Sequence, residues 1–407
     1  MKKAAVKKHP WKNYFQRKRR QLLKEDQLRH LQVIDQLQPG YVIEEGQSLL
    51  NLSSNDYLGL AASNRAREDA QVLSEIMPFG AGASRLLNAN LALHNELERS
   101  LADWKKTETA LVYPSGFQAN LGLVSALGQR GVVIYGDRLN HASLVDGARL
   151  ANATFHRYAH NDLDELEDLL KAQTRGLRLI VTDGVFSMDG DLAPLPQLNE
   201  IAKRHDALLI VDEAHATGVL GPEGAGSWSH YGLEWEPHVI FTVTLSKALG
   251  LQGGAVCASQ ELVDYLVNYS RSFIYSTALS PLMAGLAHTL VTYVREADDL
   301  RQRLMQNTQT FQDALAQHGL NGTLSPTPII PLELGESGKV MNCIARLREA
   351  GIVAAGVRPP TVPEGTARLR LSISAAHPPQ ALQKAAQTIA ETIQHLDEQP
   401  ENQVKTG

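Results

Sequence analysis

Lys247 closes the run His238-Val239-Ile240-Phe241-Thr242-Val243-Thr244-Leu245-Ser246-Lys247, and Gly250 follows shortly after. An apolar, β-branched stretch leading into Thr-x-Ser-Lys reads as a buried strand that delivers an amine to its own end. Ligands of open α/β sheets bind at such strand ends. A desolvated lysine there can form a Schiff base with an aldehyde or ketone. A second apolar run, Leu209-Ile210-Val211, ends in Asp212-Glu213-Ala214-His215. A carboxylate in that position is costly unless a cation faces it. Two further loops follow apolar runs and carry polar groups: Tyr113-Pro114-Ser115-Gly116-Phe117 and Asp137-Arg138-Leu139-Asn140-His141. The first reads as a turn into a helix start, where backbone N–H groups suit a phosphate. The second places a histidine where it can stack on a flat ring or move a proton. A third loop, Asp183-Gly184-Val185-Phe186-Ser187, reads by itself only as a connection.

The elements that must hold these loops alternate. Strands are expected at 110–113, 132–135, 177–182, 207–211, 239–244 and 254–258, with helices between them, so the fold class is α/β with a mostly parallel sheet between helices. Long helical patterning from Pro281 to about Gly319 leads to a second, smaller α+β unit. That unit holds strands near 329–334 and 367–374, a helix over 340–349 and a final helix carrying Leu382, Ala386, Ile389, Ile393 and Leu396. The expected division is an N-terminal helical segment 1–50, running on through Leu22, Leu28 and Leu31, a large domain 51–285, a small C-terminal domain 286–400 and a tail 401–407.

Composition narrows the function classes. The chain has 407 residues, a net charge of −5 and 43% hydrophobic content. It offers no broad cationic field for nucleic acid and no stretch suited to a membrane span. Its two cysteines, Cys257 and Cys343, read as buried small hydrophobes of a reducing compartment, which gives a cytoplasmic expectation. No Gly-x-x-x-x-Gly-Lys-Ser/Thr loop accompanies Asp-Glu-Ala-His, so the helicase reading of that tetrapeptide fails. No strand-anchored Gly-x-Gly-x-x-Gly, Gly-x-Ser-x-Gly or His-Glu-x-x-His is present, so no metal site is expected. Lysine, strand-end aspartate, flanking histidines and a phosphate-ready helix start together fit pyridoxal 5'-phosphate (PLP), which needs a lysine and a carboxylate on its ring nitrogen.

From about Asn13 to Leu396 the chain resembles the α-oxoamine synthases, PLP enzymes of fold type I. The stretches Asn51-Leu52-Ser53-Ser54-Asn55-Asp56-Tyr57-Leu58-Gly59-Leu60, Val211–Gly218, Thr244–Gly250 and Val357–Leu371 carry the resemblance. It implies a decarboxylative acyl transfer. Lys247 would link to the cofactor and move the substrate α-proton, and Asp212 would pair with the ring nitrogen. His215 and Ser187 would lie near the ring hydroxyl. His141 would stack on the ring and touch substrate. Gly116, Phe117 and Thr244 would hold the phosphate, joined by Ser276 and Thr277 from a neighbouring subunit of a homodimer.

The resemblance also gives Arg370 and Asn55 the amino acid carboxylate, and Thr361 and Arg29 the acyl group. Leu369, Leu371 and Ile373 would face the core, with Arg368, Arg370 and Ser372 on the other side of the strand. Arg358-Pro359-Pro360-Thr361 leans toward L-alanine and a pimeloyl thioester, carried on coenzyme A or acyl carrier protein. Glycine-using siblings that make 2-amino-3-oxobutyrate or 5-aminolevulinate stay open, because one methyl group is worth only about 1–3 kcal/mol in a pocket. The stretch Gly80–Asn90 departs from the family pattern, carrying Asn88-Ala89-Asn90 where relatives often have Ser-Gly or Thr-Gly.

Overall fold

A computed structural model describes residues 9–173, 175–320 and 325–398; the tail 401–407 lies outside them. Three short strands come first, β1 (Gln36–Gln38), β2 (Tyr41–Glu44) and β3 (Gln47–Asn51). The large domain follows with β4 (Thr109–Tyr113), β5 (Val132–Asp137), β6 (Thr154–Tyr158), β7 (Leu177–Asp183), β8 (Ala207–Asp212), β9 (Val239–Thr244) and β10 (Gly254–Ala258). These seven form one sheet in the order β4-β10-β9-β8-β7-β5-β6. Only β10 runs against its neighbours; β9, β8, β7, β5 and β6 pair in parallel.

Residues along these strands alternate between two cores. Leu209, Val211, Phe241 and Val243 enter one hydrophobic cluster, while Ile210, Ile240, Leu179 and Val181 enter the other. Both faces are therefore covered, as a parallel sheet requires, and the strand sequences read as continuous apolar runs. Four of the strands close on a polar residue. Asp137, Asp183, Asp212 and Thr244 are the last residues of β5, β7, β8 and β9, so four polar groups collect along one edge of the sheet. Because β10 is antiparallel, its first residue, Gly254, arrives at that same edge between Tyr113 and Thr244.

The small domain is built on β11 (Ile329–Gly335), β12 (Ile352–Val353), β13 (Ala355–Val357) and β14 (Ala367–Ser372). β14 lies between β11 and β13 in an antiparallel sheet. The helix Pro379–Glu398 buries Leu382, Ala386, Ile389, Ile393 and Leu396, the stripe expected from spacing. Leu369, Leu371 and Ile373 are fully buried, and Arg368 and Arg370 are buried too.

Two expectations need correction. The segment 1–50 is not helical throughout: the helix Pro10–Lys24 ends before Leu28 and Leu31, and Asp26 takes a left-handed φ of 50°. Residues 36–51 instead make a three-stranded antiparallel meander whose turns use left-handed Gly40 and Gly46, conformations glycine adopts without strain. β3 then pairs in parallel with β12, which ties this segment to the small domain. The boundary expected after residue 285 falls inside the helix Pro281–Glu296, which packs on the large-domain helix Ala92–Lys105. Elsewhere Asn90 has a specific use: its Oδ1 accepts from Arg85 Nε at 2.7 Å, and Arg85 also forms a fork on Glu98.

Candidate active site

The sheet edge opens into a cavity of ≈ 250 Å³ lined by Gly116, Phe117, His141, Asp212, His215 and Lys247, among others. Asp212 is held from two sides. Its Oδ2 accepts from Asn120 Nδ2 at 2.6 Å, and its Oδ1 accepts from the Ala214 N–H at 3.0 Å. Asn120 Nδ2 also donates to Ser143 Oγ at 2.8 Å. Lys247 follows β9 by three residues and faces this carboxylate across the cavity. Burial of its ammonium lowers it to about 8; Asp212 and Asp183 oppose that shift, and Arg370 adds to it. A lysine so shifted has a substantial neutral, nucleophilic fraction near neutral pH.

Burial works against charging either histidine. Burial pushes His215 well below the ordinary imidazole range, and the positive charges of Lys247 and Arg370 push the same way. Its Nδ1 lies 2.7 Å from the Tyr57 hydroxyl. Burial also lowers His141, with Asp212 opposing. His141 caps the helix Ala142–Leu150. Its Nδ1 is 2.7 Å from Ser143 Oγ, and its ring meets Phe117 edge-on at 6.4 Å.

At the other end of the cavity the helix Gly116–Leu127 begins. Ser115 caps it by accepting from the Gln118 N–H at 3.2 Å. The N–H groups of Gly116 and Phe117 have no hydrogen-bond partner among the described residues. A Cβ on Gly116 would stand 3.0 Å from Thr244 Cβ, and one on Gly254 would stand 2.5 Å from Gly116 Cα. The turn therefore needs its glycines to sit against Thr244. Free N–H groups, the Thr244 and Ser246 hydroxyls and a helix N-terminus make a cradle suited to a phosphate. The orphaned donors, the lysine and the anchored carboxylate all fit PLP.

Arg370 reaches the site from β14. Its Nη1 donates to Asn55 Oδ1 at 3.0 Å and to Ser372 Oγ at 2.8 Å, while its Nε donates to the Ser187 carbonyl. The Tyr57 hydroxyl also lies beside this guanidinium. Asn55 and Arg370 thus meet directly. Ser187 is set differently: it does not line the cavity, and its main chain serves Arg370. Ser276 and Thr277 do not line it either; Ser276 Oγ lies 3.5 Å from Gln118 Nε2, outside the cradle. Thr361 and Arg29 are exposed, yet their neighbourhoods touch, because Arg358 Nη2 donates to the Leu28 carbonyl at 3.1 Å. Sequence reasoning passed over Asn120, Tyr57 and Asp183. Only the position of Asp183 at a strand end, matching Asp212, offered a signal.

Comparison with known proteins places this geometry. A model of "Aminotransferase class I and II" matches residues 47–389. The 8-amino-7-oxononanoate synthase of Citrifermentans bemidjiense is 46% identical over 90% of this chain and 95% of that relative. The chain belongs to the 8-amino-7-oxononanoate synthase family. A protein of Geobacillus kaustophilus, described as a putative member, is 45% identical over 86% of this chain and 90% of its own. Among solved structures, the serine palmitoyltransferase of Sphingomonas wittichii superposes with a TM-score of 0.89 at 28% identity, covering 97% of this chain and all of that one. The 8-amino-7-oxononanoate synthase of Francisella tularensis gives 0.74 at 28% identity, over 85% and 98%. The fold is that of the PLP enzymes of fold type I, and the chain is a PLP-dependent acyltransferase. No described helix is long and apolar enough to cross a membrane.

Proposed function

We propose that the protein condenses L-alanine with a pimeloyl thioester, releasing 8-amino-7-oxononanoate, carbon dioxide and the free thiol. This is a step of biotin biosynthesis. The observation that carries the reading is one cavity in which the Lys247 amine faces an anchored Asp212 carboxylate, in a chain 46% identical to a named 8-amino-7-oxononanoate synthase.

PLP, when bound, draws electrons away from the α-carbon of an attached amino acid. Lys247 would form the covalent link to it, and its free amine would take the α-proton of the bound amino acid and later return one. The amine suits both tasks because burial lowers it to about 8; a general base works best when its pKa lies near the working pH. Asp212 would hold the ring nitrogen protonated, with Asn120 keeping its carboxylate in place. His141 would cover one face of the ring. His215, braced by Tyr57, would meet the ring hydroxyl, and the Gly116 and Phe117 N–H groups with Thr244 would grip the phosphate. Arg370, steadied by Asn55, would bind the alanine carboxylate through a planar guanidinium. Arg29 and Thr361 would flank the acyl chain.

The working unit of this proposal is a homodimer in the cytoplasm, with Ser276 and Thr277 of each copy completing the other's phosphate site. Their position outside their own chain's cavity supports that arrangement, as do the exposed rings of Phe79 (76% exposed) and Tyr275 (71%). The acyl carrier is coenzyme A or an acyl carrier protein, and the two are separated by assaying each thioester. Sedimentation of the PLP-loaded protein tests the dimer. The reaction is tested by the mass of the product formed from L-alanine and pimeloyl-coenzyme A; a product formed only with glycine would move the protein to a sibling activity.

A further inference from the structure

Outside the cavity stands a histidine with carboxylates on both sides. His160 Nε2 lies 2.8 Å from Asp191 Oδ2, and its Nδ1 lies 3.2 Å from both oxygens of Asp137. Its ring meets Phe186 edge-on, with centroids 4.4 Å apart. Asn161 braces the same pair: its N–H donates to Asp137 Oδ2 at 2.8 Å, and its amide donates to Asp191 Oδ2 at 3.1 Å. With a carboxylate on each ring nitrogen, both nitrogens must donate, so the ring is an imidazolium.

The loop that His160 grips is the one on which Arg370 rests. Asp191 and Phe186 belong to the turn Gly184–Leu192, closed by the Phe186 N–H to the Asp191 carbonyl at 2.9 Å. On its other side this turn meets the small domain: Ser187 accepts from Arg370, Asp189 pairs with Arg368, and the Gly190 carbonyl accepts from Thr327 at 2.8 Å. The turn is therefore pinned at one end to β5 of the large sheet through His160 and at the other end to β14. Nothing in the chemistry described above uses His160.

We propose that His160 is a positioning residue: as a cation clamped between Asp137 and Asp191, it fixes the Phe186–Asp191 turn and so aims Arg370 at the amino acid carboxylate. The inference rests on the reading of Arg370 given above. Small displacements of a group that orients substrate are expensive, as a misplacement of ~1 Å can cost on the order of 100-fold. A neutral side chain that keeps only one of the two contacts should loosen the turn without touching Lys247 or Asp212.

The test uses the PLP-loaded full chain in three variants, His160→Gln, Asp191→Asn and Arg370→Lys. L-Alanine is titrated by the change in cofactor absorbance, and KM for pimeloyl-coenzyme A is measured beside it. The proposal expects His160→Gln to weaken alanine roughly 10-fold, with the thioester KM unchanged, and Asp191→Asn to move alanine in the same direction. Alanine affinity unaltered in either variant, or an equal loss for both substrates, overturns it. If Arg370→Lys itself binds alanine normally, the carboxylate assignment fails instead; if only Arg370→Lys weakens alanine, that assignment stands and the role of His160 falls.

Discussion

Asp183 and Asp212 stand opposite one another at the ends of the neighbouring parallel strands β7 and β8, yet their surroundings differ. Asp183 is held well above the ordinary carboxylate range, first by burial and then by the charge of Asp212. It accepts from the His141 N–H at 2.8 Å. Asp212 has two N–H donors for its oxygens. Like charges in one buried site resist ionising together, and it is Asp183 that burial and its neighbour push toward the neutral form. Replacing Asp183 by Asn should therefore leave turnover close to wild type, because an amide oxygen can still accept from His141. Asp212→Asn should cost roughly 100- to 1,000-fold in kcat, the scale of losing one preorganised electrostatic contact. Equal losses in the two variants would contradict this difference in surroundings.

Lys247 sets the pH response of cofactor capture. Its folded-state value of about 8 lies below the ordinary 10.5, so the neutral amine accumulates as pH rises through about 8. The rate at which the cofactor-free protein takes up PLP should climb with that midpoint. A midpoint near 10 would show that the amine is not desolvated. Lys247→Ala should abolish both the covalent link and turnover, since acid–base catalysis of this kind contributes roughly 100- to 10,000-fold.

The phosphate cradle depends on two backbones in contact. Gly254→Ala would place a Cβ 2.5 Å from Gly116 Cα, where no flexible side chain can give way. The variant should lose about 1–3 kcal/mol of stability, the usual cost of overpacking, together with PLP affinity. Thermal unfolding with and without PLP measures both. An unchanged Tm would mean that the strand start and the turn can separate freely.

His160 gives a stability signature with a definite sign. Burial alone would lower it, but the hydrogen bonds to Asp137 and Asp191 raise it from 6.5 to about 10. A raised folded-state value stabilises the fold fully below the unfolded value and is lost as the group deprotonates. The contribution is therefore complete below pH 6.5 and disappears as pH rises toward 10. The difference in Tm between wild type and His160→Gln should narrow over that window; a constant difference would contradict an imidazolium.

The site was legible where chemistry sits at the end of an apolar run. Lys247 and Asp212 follow Val239–Val243 and Ala207–Val211, and a strand period shows where each chain leaves the core. The distant contacts were not legible. Asn120 lies 92 residues before Asp212 and looked like one more residue of a helix. Tyr57 reaches His215 over 158 residues. Such pairings are set by how strands are ordered in the sheet, which local periodicity does not encode. The meander 36–51 was missed because its short strands show no clear alternation and its last strand, β3, pairs with β12, some 300 residues on. Antiparallel β10 was visible as a strand but not by direction, since a fully buried strand looks alike either way.

The central claim is tested most directly by supplying L-alanine and pimeloyl-coenzyme A to the PLP-loaded protein and following the mass of the product together with released carbon dioxide. Equal amounts of 8-amino-7-oxononanoate and carbon dioxide, both lost in Lys247→Ala, are predicted. Turnover with glycine and a different thioester, and none with this pair, would contradict the assignment.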